Sequence, residues 1–155
     1  MSIRIPIPSR PITIETVYFD FNGTLAVDGQ LVEGVKERLH DLAKLVDIYV
    51  FTADTFGTVR DQLSKLPVKF LVLDGENIQR QKSEHIITPP RQNAVVGNGL
   101  NDVLMLQKAA MSIVVNTAEG THPKALMHAD LLVGSPVDAL DLLLNPNRIV
   151  AGCRG

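Results

Sequence analysis

The chain has 155 residues, and its 45% hydrophobic content is enough for one core without disulfides or structural metals, so we expect one soluble domain over residues 1–155. The 15 basic and 17 acidic side chains give a net charge of −2 and form no block of like charge, which argues against nucleic-acid and membrane partners. Cys153 is the single cysteine and no segment has the length of a membrane span, so an internal disulfide is excluded and a cytoplasmic location is expected.

The first part of the chain predicts a hairpin, a buried strand and a tight turn. Isoleucines alternate with polar residues or proline over residues 3–7 and 12–14, which predicts a short N-terminal β-hairpin. The apolar run at 16–19 predicts a buried strand that ends at Asp20. The Asp-Gly pair at 28–29 lies between short β-prone segments and predicts a second hairpin turn.

The rest of the chain alternates helices with strands. Apolar residues at three- and four-residue steps predict an amphipathic helix over residues 32–45. Similar patterns predict strands at 47–52, 68–73, 94–96 and 113–115, and helices near 59–66, 81–88, 101–110 and 145–150, the last before a flexible tail. Such alternation is typical of a parallel sheet that is covered on both faces. We therefore predict an α/β fold, a three-layer α/β/α Rossmann-like sandwich with a mainly parallel sheet.

Three polar segments follow three of the predicted strands. They are DFNGTL at residues 20–25, FTADT at 51–55 and GNGLND at 97–102. The carboxyl ends of parallel strands meet at one edge of a sheet, so we expect these segments to line one crevice. A carboxylate at a strand end, followed by a glycine-containing loop with inward-facing amides, is able to approach a phosphate closely. Asp20 is therefore the candidate nucleophile.

Together these motifs resemble those of the haloacid dehalogenase (HAD) superfamily over nearly the whole chain. The resemblance implies phosphoryl transfer through an aspartyl-phosphate at Asp20. It also implies Mg²⁺ as cofactor, held by the Asp20 carboxylate, the backbone carbonyl of Asn22, Asn98 and Asp102, with Asp102 also supporting the metal's water ligands and the family's lysine. An Mg²⁺ ion would offset the repulsion between an anionic nucleophile and a phosphate.

The resemblance also assigns residues that hold the phosphoryl group. Thr52 occupies the position of the family's phosphate-binding hydroxyl, and Ala53 follows it as a substrate-binding residue. Lys82 is our choice for the family's lysine because it begins the predicted helix before the strand that leads to GNGLND. Lys65, Lys69 and Lys108 fit that place in the topology less well. Taken singly, each of these residues also has a structural explanation, as a turn cap, a strand residue or a solvated helix residue.

The sequence departs from the family pattern at two positions. Asn22 stands at the catalytic position where most phosphatases of the superfamily carry a second aspartate, and an amide neither protonates a leaving group nor activates water. Loss of such a group typically costs about 100- to 10,000-fold in rate, so slow turnover is expected. Asn98 stands where the family pattern places a metal-binding aspartate, which predicts weaker Mg²⁺ affinity. The segments DFNGTL and GNGLND together resemble those of the soluble P-type ATPase-like group of small proteins, which consist of this core alone.

The spacing of the motifs leaves no room for a cap domain. An open site accepts a phosphorylated small molecule or macromolecule, or is closed by a second subunit. The apolar N-terminal hairpin is a candidate for such homo-oligomer contact, and packing of the hairpin on its own domain is the alternative. We predict a HAD-type phosphomonoester hydrolase. The alternatives are a phosphate- or nucleotide-binding regulatory domain that has lost catalysis and a structural subunit that uses only the fold.

Overall fold

The computed structural model of the protein describes residues 1–53, 57–86, 89 and 92–155. The strands are β1 (Ile3–Ile5), β2 (Ile12–Ile14), β3 (Thr16–Asp20), β4 (Ala26–Val27), β5 (Gln30–Leu31), β6 (Asp47–Thr52), β7 (Lys69–Val72), β8 (Asn93–Gly97), β9 (Met111–Val115) and β10 (Leu131–Val133). The helices are α1 (Val35–Ala43), α2 (Thr58–Leu63), α3 (Ile78–Glu84), α4 (Val103–Lys108), α5 (Pro123–Met127), α6 (Pro136–Leu144) and α7 (Pro146–Cys153), and a 3-10 turn (Leu100–Asp102) precedes α4.

The central sheet confirms the predicted three-layer α/β fold. Within the described residues it has six parallel strands in the order β10-β9-β8-β3-β6-β7. Side chains of the central strand β3 alternate between its faces, because Val17 and Phe19 belong to the apolar cluster that contains α1, α2, α6 and α7, whereas Tyr18 belongs to the cluster with α3, α4 and α5. All three are fully buried, as expected for a parallel sheet with both faces covered.

Two small antiparallel hairpins accompany this sheet, as predicted. In the first, β1 pairs with β2, and its isoleucine side chains are at most 5% exposed within the main core. The hairpin therefore packs on its own domain and does not offer these side chains to another subunit. In the second, β4 pairs with β5 through Asp28 and Gly29, which both have positive φ angles, at 51° and 76°. A two-residue turn with two positive φ angles matches the twist of the strands it joins.

The helix that carries Lys82 differs from its prediction. It spans Ile78–Glu84 instead of 81–88, so Lys82 lies in its last turn, and the prediction that Lys82 begins this helix was wrong. The polar run at 79–81 hides the helical period because the buried face carries Ile78 and, four residues later, a charged lysine. Residues 87–88 of the predicted helix lie outside the described residues.

The C-terminal part also differs from prediction. No element was predicted between residues 116 and 144, where α5, β10 and α6 lie. The final helix continues to Cys153, so the prediction of a flexible tail directly after residue 150 was wrong; Ile149 is buried in the main core and anchors this helix. The other predicted helices and strands are present, with ends within three residues of the prediction. Among the described helices, none has both the length and the apolar character needed to cross a bilayer.

Candidate active site

The three predicted motifs meet at the carboxyl edge of the sheet. Asp20 ends β3, Ala53 follows β6, and Asn98 follows β8, which flanks β3 on the other side. All three residues line one cleft of about 830 Å³. Its described wall is formed by Asp20, Asn22, Ala53, Asn77, Ile78, Gln79, Arg80, Lys82, Asn98, Gly99, Leu100, Asn101 and Leu104. The first turn of α3 and the loops that follow β3 and β8 therefore all contribute to the wall of the cleft.

Lys82 is the electrostatic centre of this cleft. Its Nζ donates hydrogen bonds to Asp20 Oδ1 at 2.7 Å, Asp102 Oδ1 at 2.8 Å and Asn101 Oδ1 at 2.9 Å. An ammonium has three N–H donors, so each donor has its own acceptor. The Lys82 side chain is only 2% exposed, and two carboxylates beside it satisfy the requirement that a buried charge be paired.

Asp102 links Lys82 to the loop that follows β8. Its Oδ1 accepts from Lys82, and its Oδ2 accepts from the backbone N–H groups of Asn98 at 2.9 Å and Gly99 at 3.0 Å. A Cβ atom added at Gly97 would lie 2.7 Å from the Asp102 carboxylate, so only glycine allows this approach. Asp102 is fully buried with both oxygens engaged, which fixes the ammonium and the loop relative to each other.

The loop after β3 is held against the loop after β8 through Thr24. The buried Thr24 hydroxyl lies 3.3 Å from Asp20 Oδ2 and 3.1 Å from Asn98 Oδ1. Gly23 has a φ angle of +76° and packs so closely on the Asn98 amide that an added Cβ atom would collide with it. The chain turns sharply here, with the N–H groups of Leu25 and Ala26 both donating to the Phe21 carbonyl at 3.0 Å.

Residues 116–122, which we call the clasp loop, form hydrogen bonds with both of these loops. Thr117 Oγ1 donates to the Gly23 carbonyl at 2.9 Å. The Asn98 side-chain amide donates to the Gly120 carbonyl at 3.1 Å, and the His122 N–H donates to the Asn98 carbonyl at 2.9 Å. The clasp loop therefore fixes the position of the Asn98 side chain at the cleft.

Burial dominates the electrostatics of the candidate nucleophile. Burial and the nearby charge of Asp102 raise the pKa of Asp20 to about 7, although Lys82 and the Thr24 hydroxyl act in the opposite direction. Burial on its own would lower the pKa of Lys82, but the charges of Asp20 and Asp102 and the hydrogen bonds to both raise it. Two buried carboxylates thus share one ammonium, which leaves the floor of the cleft with one uncompensated negative charge when both are ionised.

Comparison of the sequence with known proteins identifies a relative of the chain. No protein-family model matches the chain. The uncharacterized protein MJ0073 of Methanocaldococcus jannaschii is 42% identical to it over 66 residues, which are 43% of this chain and 71% of that protein. The chain belongs to the same family as MJ0073.

Two solved structures show which fold this is. A candidate HAD family hydrolase from Streptomyces avermitilis has a TM-score of 0.67 at 17% identity, covering 88% of this chain and 93% of that chain. The 3-deoxy-D-manno-octulosonate 8-phosphate phosphatase of Moraxella catarrhalis, solved with a magnesium ion, a phosphate ion and a KDO molecule, has a TM-score of 0.66 at 16% identity, covering 89% and 90%. The chain has the HAD fold. This confirms the predicted superfamily fold, and the P-type ATPase-like subgroup stays a prediction.

On this HAD fold, the residues predicted from the motifs are brought together to different degrees. Asp20, Lys82 and Asp102 form one buried hydrogen-bonded cluster, and the exposed Asn22 lines the cleft beside it. Thr52 ends β6 and is 1% exposed, so the described wall of the cleft at that strand is formed by Ala53. Residues 54–55 of the FTADT motif lie outside the described residues. The roles assigned to all these residues stay predictions.

Other residues of the HAD cleft were missed by sequence reasoning. Thr24 contacts Asp20, and Asn101 contacts Lys82. Both residues belong to the predicted motifs, so their positions alone would have been enough to propose them. Arg80 and Leu104 also line the cleft, but they lie outside the motifs. We find no sequence signal that would have assigned them to the site.

The donor set of the cleft fits Mg²⁺. Its oxygen donors include the Asp20 carboxylate, the backbone carbonyl that we assigned at Asn22 and the amide oxygen of Asn98, and the uncompensated negative charge of the floor favours a cation. In the described part of the chain no three His, Cys, Asp or Glu side chains converge as a metal cluster, so the described residues offer few anionic ligands. Mg²⁺ tolerates this because it usually keeps several waters and binds through one or two carboxylates and substrate phosphates.

Proposed function

We propose that this chain is a magnesium-dependent phosphohydrolase that acts on a phosphomonoester through an aspartyl-phosphate at Asp20. The observation that carries the proposal is the buried Asp20 carboxylate at the carboxyl edge of a parallel sheet, on the floor of a cleft and 2.7 Å from the Lys82 ammonium. A buried, charge-paired carboxylate with a raised pKa in a cleft is a frequent mark of a functional site. The HAD fold supports the same class of chemistry.

Each residue of the cluster has a proposed role. Mg²⁺, held by Asp20, Asn22 and Asn98 and supported by Asp102, would supply positive charge that offsets the charge of the phosphate. Lys82 holds the Asp20 carboxylate in one orientation and lowers the cost of bringing an anion near it. Thr52 and Ala53 orient the phosphoryl group from the end of β6, on the side of the cleft where Ala53 forms the wall.

Slow turnover is part of this proposal. Asn22 lies at the cleft where an acid would protonate the leaving group and later activate water, and its amide does neither. An aspartyl-phosphate, once formed, would then be hydrolysed slowly and would persist. Only the β4–β5 hairpin separates the Asp20 loop from α1, so we propose a cap-less site that accepts a phosphorylated small molecule or macromolecule.

Phosphate release from a panel of phosphomonoesters with Mg²⁺ tests the proposal. We expect measurable release by wild type, none above background by Asp20→Asn, and faster release by Asn22→Asp. Thermal unfolding of each variant controls for folding. Release that persists in Asp20→Asn would refute the role of Asp20 as nucleophile.

A phosphate- or nucleotide-binding regulatory domain is the second candidate function. Asn22 favours it, because a site without a positioned acid/base can keep phosphate affinity after losing turnover. Phosphate-dependent thermal stabilisation without turnover in wild type or Asn22→Asp would support binding alone. If neither turnover nor stabilisation is seen, only the structural role of the fold is left.

A further inference from the structure

The described wall of the cleft has little capacity to give a proton to a leaving group. Its titratable side chains are Asp20, Lys82 and Arg80. Asp20 is the attacking group, and its oxygens already accept hydrogen bonds from Lys82 and Thr24. Asn22, two residues after Asp20, also lines the cleft, but its side chain is an amide that does not release a proton.

Neither cation replaces the missing acid. Lys82 is 2% exposed, and its three protons are held by Asp20, Asn101 and Asp102 at 2.7 to 2.9 Å. A transfer from Lys82 to a substrate would have to break one of these bonds inside a buried cluster. Arg80 already donates to Glu84 at 2.7 Å, and guanidinium groups do not serve as proton donors of this kind in proteins. No described histidine lines the cleft.

We infer that this site takes its phosphoryl group from acyl phosphates, whose leaving group departs as a stable carboxylate, in preference to alkyl phosphomonoesters. The inference rests on the proposed role of Asp20 and names the substrate class of that same site. A carboxylic acid has a pKa of about 4 and a phenol one of about 10, so a carboxylate leaves without help at neutral pH. An alkoxide is far more basic and needs a proton as it leaves.

The chemical step balances without a proton donor from the protein. A lone pair of an Asp20 carboxylate oxygen forms a bond to phosphorus, and the bond from phosphorus to the acyl oxygen breaks with its electron pair left on the carboxylate. In the second step a water oxygen bonds to phosphorus and passes its proton to bulk water. The bond to Asp20 then breaks and returns the electron pair to the Asp20 carboxylate. Phosphate, a carboxylate and a proton are the products.

The walls of the cleft favour acyl phosphates over the other donors with good leaving groups, the phosphoanhydrides. A polyphosphate carries several negative charges, whereas the described wall adds only Arg80 to the saturated Lys82, and Arg80 is 75% exposed and paired with Glu84 at 2.7 Å. The same wall offers the apolar side chains of Leu100, which is 48% exposed, and Leu104, which is 37% exposed. These side chains suit the carbon chain of an acyl group.

A single-turnover experiment with excess Mg²⁺-loaded enzyme tests the inference. Steady-state rates are unsuitable because slow hydrolysis of the phosphoenzyme would hide the first step. Rapid quenching after mixing with acetyl, p-nitrophenyl, phenyl or ethyl phosphate measures release of each leaving group. We expect wild-type release to slow in that order and to vanish for ethyl phosphate. Asn22→Asp should accelerate release from phenyl and ethyl phosphate by about 100-fold or more, and from acetyl phosphate by less than about tenfold.

Each contrary outcome is distinguishable. If wild type releases phenol and ethanol as fast as acetate, and Asp20→Asn abolishes the release of all three, the inference fails while the proposed nucleophile stands. If Asp20→Asn still releases acetate, or if wild type releases no leaving group at all, the proposed function fails. Faster release from inorganic pyrophosphate than from acetyl phosphate would overturn the choice of acyl donors.

One further variant tests a residue next to the cleft in sequence. Asp54 follows Ala53 and lies outside the described residues. If wild type releases all four leaving groups at similar rates, and Asp54→Asn releases the more basic ones much more slowly, Asp54 is identified as the proton donor. That result would overturn the inference. Thermal unfolding of every variant, with and without Mg²⁺, separates these outcomes from loss of folding.

Discussion

Lys82 Nζ lies 2.7 Å from Asp20 Oδ1, and both side chains are nearly inaccessible to solvent, at 2% and 10% exposure. The two residues are 62 positions apart in sequence, so this ion pair joins α3 to the end of β3. Because Asp102 shares the same ammonium, removing Lys82 would leave two buried carboxylates facing each other.

We therefore expect Lys82→Met to destabilise the protein by about 3–5 kcal/mol, the usual cost of removing one partner from a buried ion pair. Urea unfolding at neutral pH measures this. Lys44→Met is the matched control, because the Lys44–Asp41 pair is exposed at the surface and should contribute little. The triple variant Lys82→Met/Asp20→Asn/Asp102→Asn should recover part of the loss. Equal effects of Lys82→Met and Lys44→Met would contradict the buried pairing.

The raised pKa of Asp20 predicts how the stability of the metal-free protein depends on pH. Its folded-state pKa of about 7 exceeds its ordinary value of 3.8, so the folded protein holds a proton that the unfolded chain has lost between about pH 4 and pH 7. The contribution of Asp20 to stability is therefore full below pH 4 and is lost as the pH rises through 7.

Asp20→Asn should remove this dependence. We expect metal-free Asp20→Asn to be more stable than wild type at pH 8, by an amount on the order of a few kcal/mol at about 1.4 kcal/mol per pKa unit, and the gap to shrink toward pH 4. Chemical unfolding in EDTA across this pH range gives both curves. A constant difference between them at all pH values would show that Asp20 has an ordinary pKa.

Asn98→Asp should affect metal binding and stability in opposite directions. The Asn98 amide donates to the Gly120 carbonyl, and a carboxylate cannot, so we expect a loss of about 1 kcal/mol in the metal-free protein. The added negative charge should at the same time tighten Mg²⁺ binding, measured by calorimetry. Asn98→Ala is the control for charge, because it loses the hydrogen bond to Gly120, together with that from the Thr24 hydroxyl, without gaining a negative charge. Unchanged Mg²⁺ affinity in Asn98→Asp would place the metal away from this side chain.

Alanine substitutions at two glycines distinguish the stability cost of backbone strain from that of a steric clash. Gly23 and Gly29 have the same φ angle of +76°, but a Cβ atom at Gly29 meets nothing within 4 Å, whereas at Gly23 it collides with Asn98. Gly29→Ala should therefore cost only the left-handed backbone term, about 1–2 kcal/mol. Gly23→Ala should cost more in urea unfolding and should also reduce phosphate release. Equal stability of the two variants would show that the Gly23 and Asn98 loops move apart to accept the Cβ atom without loss of stability.

The sequence was enough to predict five of the six described strands of the central sheet, and the positions of the motifs that follow them, because buried strands and polar strand ends leave a clear pattern. The strand pattern predicted that Asp20, Asn22 and Asn98 lie at one cleft, as the structure places them. Lys82 was chosen from the resemblance and from its place in the topology, although its helix was misplaced. The roles of these residues stay predictions. Short elements such as β10, with three residues, carry too little periodicity to be recognised. Contacts between distant loops, such as that of Thr117 with Gly23, have no local signal at all.

The clasp loop has a consequence for redesign of this cleft. Residues 116–122 form hydrogen bonds with both the Gly23 loop and the Asn98 loop, so the positions of the three segments depend on one another. A graft that replaces one segment without the others would leave carbonyl and N–H groups without partners. The turn before α3 is a better place for an inserted lid, since Gly75 has open space around it and the next residues form a cleft wall. New specificity would then be added without disturbing the Asp20 carboxylate.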